Sequence, residues 1–81
     1  SSDTEGMKLI SDIHDIIPAM FVTKRIHYMS HIFSLGIRIE LHGDRLNFGL
    51  AAEQAKAEGF KVEVGYYFLC VSYYEIFKFL I

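Results

Sequence analysis

A chain of 81 residues makes at most one small domain, and a domain of this size buries little more than about 60% of its unfolded surface, so its stability margin is thin. The formal net charge of −2 gives no electrostatic pull toward nucleic acid or an anionic membrane. A single cysteine, Cys70, excludes an internal disulfide and fits a reducing compartment, while a hydrophobic share of 52% calls for a core.

Residues 1–6 are polar and are expected to be disordered, with Ser2, Asp3, Thr4 and Glu5 able at most to cap a following turn. Residues 7–17 place Met7, Ile10, His14 and Ile17 on one helical stripe, with Ile13 and Ile16 beside it and Asp12 and Asp15 outside. Pro18 ends that helix, because it lacks an N–H and disfavours helix at Ile17. Residues 20–33 read as a second N-terminal helix, although their β-branched and aromatic side chains suit a strand as well. His27 and His31 stand at i and i+4, which on a helix points two imidazoles the same way as metal ligands. No Glu follows His27 and no third ligand is near, so two half-exposed histidines beside Lys24 and Arg25 are expected, and no metal site. His14 beside Asp15 reads as a surface pair and His42 as a loop residue. No signal peptide is expected, since the apolar region lacks a basic start and a small-residue cleavage site.

From residue 36 onward the signals agree with one another. Residues 36–41 alternate apolar and polar with β-branched isoleucines and predict a strand; residues 60–64 do the same. Between them, residues 48–58 are nearly all good helix formers, with Gly49 the costly exception at about 1 kcal/mol against Ala. Phe48, Ala51, Ala52 and Ala55 fall at i, i+3, i+4 and i+7, giving a small apolar face suited to close approach on a sheet. Asp44 and Asn47 are candidate N-caps, Gly59 is a candidate C′ residue with positive φ, and Lys56 complements the C-terminal end of the dipole. The unit is strand, loop, helix, strand, and is expected to close as a right-handed parallel crossover with its ligand side at the loop that holds Asp44. The fold class is therefore α/β: N-terminal helices and one strand-loop-helix-strand unit, in a single partial domain over residues 1–81.

Residues 64–81 crowd Tyr66, Tyr67, Phe68, Leu69, Cys70, Val71, Tyr73, Tyr74, Ile76, Phe77, Phe79, Leu80 and Ile81 into one tail. It is too short and too charged for a membrane span, which needs about 20 largely apolar residues. As a strand or buried helix it needs a partner, and exposed it favours aggregation.

The run Gly43-Asp44-Arg45-Leu46-Asn47-Phe48-Gly49-Leu50-Ala51-Ala52-Glu53-Gln54-Ala55-Lys56-Ala57-Glu58-Gly59 resembles a segment of the dihydroxyacetone kinases (DhaK domain), most like the plant and animal ATP-dependent enzymes. The similarity covers residues 43–63; residues 1–42 and 64–81 resemble no family. It implies that Asp44 binds dihydroxyacetone and handles a proton of the hydroxyl being phosphorylated, with Gly43 beside it in substrate binding. It also implies a cytoplasmic, homodimeric full-length kinase, with ATP and Mg²⁺ held in a separate helical domain and no cofactor in this chain. The family's substrate-binding lysine would lie at Ile39, and its Asn-Tyr-Thr is replaced by Glu40-Leu41-His42. Its glycine-rich loop and the histidine that holds substrate covalently have no counterpart, so this chain alone is expected to be inactive. Composition changes abruptly at both edges of the resemblance, which suggests flanks of non-kinase origin, such as retained intron. The alternative is a non-enzymatic small protein whose hydrophobic C-terminal tail makes a partner or membrane contact.

Overall fold

The computed structural model describes residues 1–28 and 35–75. It shows a small mixed α/β arrangement of two α-helices on a four-stranded antiparallel sheet. In chain order these are α1 (Ser2–Ile16), β1 (Phe21–Tyr28), β2 (Leu35–His42), a 3₁₀ turn (Arg45–Asn47), α2 (Phe48–Ala57), β3 (Lys61–Val64) and β4 (Phe68–Tyr74).

The strands lie in the order β1-β2-β4-β3, each pair antiparallel. β2 and β3 both run opposite to β4 and so share a direction, but β4 stands between them. The expected parallel crossover between neighbouring strands is thus corrected to a split one. Burial explains it: alternate residues of β4, Leu69, Val71 and Tyr73, are buried, which suits an inner position. β3 offers only a half-buried Val62 and an exposed Val64, which suits an edge.

One sheet face carries the core. Ile37, Ile39 and Leu41 of β2 meet Leu69, Val71 and Tyr73 of β4, and onto this surface fall Leu9 and Ile13 of α1 and Phe48, Ala51, Ala52 and Ala55 of α2. The small apolar face read for α2 is therefore its buried face. Gly59 takes φ 87° just past that helix, the left-handed position expected of it, and Phe60 turns back into the core.

Three further expectations are corrected. Residues 1–6 are ordered: Ser1 Oγ accepts from the Thr4 N–H at 3.3 Å, so α1 starts at Ser2 and Gly6 is buried. The sheet covers the face of α1 that carries Ser2, Gly6, Leu9 and Ile13, whereas Met7 is 65% exposed and His14 is exposed. A Cβ at Gly6 would stand 2.5 Å from Ile37 Cδ1, so α1 seats its smallest residue where it crosses the sheet. In place of a second N-terminal helix stands β1, whose Val22, Thr23 and Ile26 fit a pleated surface. The partner required by the hydrophobic tail is the sheet itself, since β4 pairs on both sides; residues 76–81 lie outside the described residues. Among the described residues no helix is long and apolar enough to cross a membrane.

Ile39 and Leu41 are fully buried beneath the helices, so Ile39→Ala is expected to destabilise the chain by about 2–5 kcal/mol, measured as a lower midpoint in urea unfolding with the slope unchanged.

Candidate functional site

The candidate site is the loop that leaves β2. His42 is the last residue of that strand rather than a loop residue; its ring lies between Phe21 (centroids 5.8 Å apart) and Phe68 (5.6 Å), with Nε2 3.5 Å from Glu40 Oε2. Gly43 follows, exposed, at a point where a Cβ would come within 3.0 Å of Met20 Sδ. Asp44 is exposed with extended backbone, φ −63° and ψ 126°, and its Oδ1 accepts from the Leu46 N–H at 2.9 Å. Its carbonyl accepts from the Asn47 N–H at 2.8 Å. These two bonds close the 3₁₀ turn that leads into α2.

Asp44 is accordingly the residue that caps the turn, while Asn47 makes no side-chain cap bond to α2. The reason is the intervening turn, which moves the free N–H groups one residue triplet upstream of Asn47 and within reach of Asp44. The carboxylate thus has a backbone partner that fixes its direction and an exposed setting, at the end of a strand and the start of a helix. A carboxylate so placed can accept hydrogen bonds from a hydroxylated ligand.

Arg45 reaches away from this loop. Its Nη1 donates to the Tyr66 carbonyl at 3.1 Å, and its guanidinium carbon lies 4.8 Å from the centre of the Tyr66 ring. This ties the Asp44 loop to the turn between β3 and β4, a contact 21 residues long in sequence that no local signal announces. Leu46, Leu50, Tyr66 and Tyr67 are exposed around it, at 88%, 57%, 70% and 77%.

The other sequence candidates do not converge on this loop. Ile39, standing where the resembled family has its lysine, points into the core, and Glu40 is half-buried on the opposite sheet face. His27 lies on β1, so the helical histidine pair does not form, and His31 lies outside the described residues. Among the described residues no group of three or more His, Cys, Asp or Glu could hold a metal ion. Cys70 is a buried free thiol whose Sγ lies 2.9 Å from Arg38 Nη2, a contact that holds the guanidinium above its ordinary value.

With this geometry in place, the similarity to known proteins is narrow and high. Twenty-two residues are 86% identical to a stretch of a Solanum lycopersicum protein described as "Putative 3,4-dihydroxy-2-butanone kinase". The match covers 27% of this chain and 4% of the tomato protein, so it ties a short segment to a protein with a kinase name. No protein-family model matches the chain, and no solved structure matches it.

Because one Asp44 oxygen holds the Leu46 amide, Asp44→Ala is expected to cost about 1 kcal/mol of stability and to speed amide exchange at Leu46, while Asp44→Asn, an equally good cap, leaves both near wild type.

Proposed function

We propose that residues 43–63 are the substrate-side loop and helix of a dihydroxyacetone kinase of the plant and animal ATP-dependent type, and that this chain by itself does not transfer phosphate. The observation that carries the reading is the exposed, backbone-oriented Asp44 carboxylate on a segment that resembles that family, beside the 86% identity over 22 residues to a kinase-named protein.

In this reading Asp44 binds a hydroxyl of dihydroxyacetone. As the hydroxyl oxygen forms its bond to the γ-phosphorus and ADP leaves, Asp44 accepts the hydroxyl proton. Gly43 lets the three-carbon substrate come close to backbone. ATP and Mg²⁺ belong to the family's separate helical domain, and no group of this chain is assigned to them. Location in the cytoplasm and homodimerisation are part of the same proposal and concern the full-length kinase.

The inactivity has a physical basis in the residues that stand here. Ile39 replaces the lysine and is buried, and Leu41, within the Glu40-Leu41-His42 that replaces Asn-Tyr-Thr, is buried as well. At these two positions β2 therefore gives its side chains to the core. Phosphoryl transfer depends on positioning and charge stabilisation from many groups, and one carboxylate supplies neither alone.

Two measurements test the proposal. Purified chain, mixed with dihydroxyacetone, ATP and Mg²⁺, is expected to form no dihydroxyacetone phosphate above a protein-free control; turnover would contradict the inactivity. Residues 43–63 grafted into the matching stretch of the tomato kinase are expected to leave dihydroxyacetone phosphorylation intact, and Asp44→Asn in that graft is expected to lower kcat by about 10²–10⁴. A graft indifferent to Asp44→Asn would overturn the role of Asp44.

A further inference from the structure

α1 and α2 pack beside each other on the sheet, and an acidic side chain is enclosed where they meet. Glu58, the C-cap of α2, has only 7% of its side chain exposed. Gln54 Nε2 donates to its Oε2 at 2.7 Å. Its Oε1 is buried and accepts no hydrogen bond, and Lys8 Nζ of α1 lies 3.5 Å from it. Lys8 gives its short contact, 2.8 Å, to Asp12 Oδ2, one turn further along α1. One ammonium therefore serves two carboxyl groups from two helices. A buried carboxylate oxygen without a donor costs free energy, and a proton on the carboxyl removes the charge that makes the burial costly.

We propose that Glu58 holds a proton at the α1–α2 junction, and that losing it as pH rises loosens α1 from α2. The polar groups acting on Glu58 are Lys8 and Asp12 from α1 and Gln54 from its own helix. Desolvation, followed by the nearby Asp12 carboxyl, pushes the Glu58 carboxyl above the ordinary glutamate range, against the opposing pull of Gln54 and Lys8. Glu58 and then the Lys8 ammonium hold Asp12 below the ordinary aspartate range.

The signs are opposite for the two groups. A raised Glu58 stabilises the fold below the ordinary glutamate value, and that stabilisation disappears as pH rises through the raised value. A depressed Asp12 stabilises above the ordinary aspartate value, and that stabilisation disappears as pH falls through the depressed value. Between them, in mildly acid solution, the pair holds one proton and the junction is tightest. Toward neutrality both groups are ionised, with Lys8 as their common cation.

The test is a pH titration of the whole chain, carbon-13 labelled, following the carboxyl carbons and the hydrogen exchange of α1 amides by NMR, beside Glu58→Gln. Glu58 is expected to titrate above the ordinary glutamate value of about 4.3, with Asp12 reporting the same event. Protection of the Leu9 and Ile13 amides, corrected for intrinsic exchange, is expected to fall across that event by about tenfold per pH unit of Glu58 displacement. In Glu58→Gln, whose amide donates without charge, protection is expected to stay level. Titration of Glu58 in the ordinary range, or the same loss of protection in Glu58→Gln as in wild type, would overturn the proposal. Should Glu58→Gln not fold, the wild-type carboxyl titration decides alone.

Discussion

Everything in this molecule depends on how near two helices can come to one face of the sheet. α2 gets there with alanine: Ala51 and Ala55 are fully buried and Ala52 nearly so, in one core with Ile39, Leu41, Leu69 and Val71. α1 gets there with Gly6, where even a methyl group would press on Ile37. Small residues on the helices and branched ones on the strands divide the volume between them, which is how a small chain reaches close packing.

That division also explains the strand order. A strand buried on its helix side and paired along both edges must be apolar at every second residue, and β4 with Leu69, Val71 and Tyr73 meets the condition. β3, with Lys61 and Glu63 exposed and Val64 uncovered, is better at the border, where charged side chains discourage further pairing. The segment that resembles a kinase and the segments that resemble nothing consequently share one core. α1, from upstream of residues 43–63, rests on β2 and β4, and α2 rests on β3 and on β4 from downstream.

The two ends of α2 face different surroundings. Its approach, through the 3₁₀ turn, is open: Asp44 is exposed, oriented by the Leu46 amide, and stapled sideways by Arg45 to the Tyr66 carbonyl. Its far end is closed, with Glu58 enclosed against α1 and tied to Gln54. An open carboxylate is available to a ligand and an enclosed one responds to protons, so the same side-chain chemistry serves different ends according to burial.

Local rules decided the parts that local chemistry controls. The alanine face, the positive φ at Gly59, the stop at Pro18 and the alternation of residues 36–41 and 60–64 were all legible, because each follows from propensity or period within a few residues. The acidic cap at Asp44 was legible too, as a polar side chain just ahead of free amides. Tertiary structure alone decided that residues 21–28 extend rather than coil, since β-branched and aromatic side chains satisfy either form until β2 offers eight paired positions. It alone decided that β4 enters between β2 and β3, that α1 turns Gly6 and Leu9 inward rather than Met7, and that Arg45 reaches Tyr66. In each of these the deciding free energy comes from surface buried against residues distant in the chain, which no window of sequence contains.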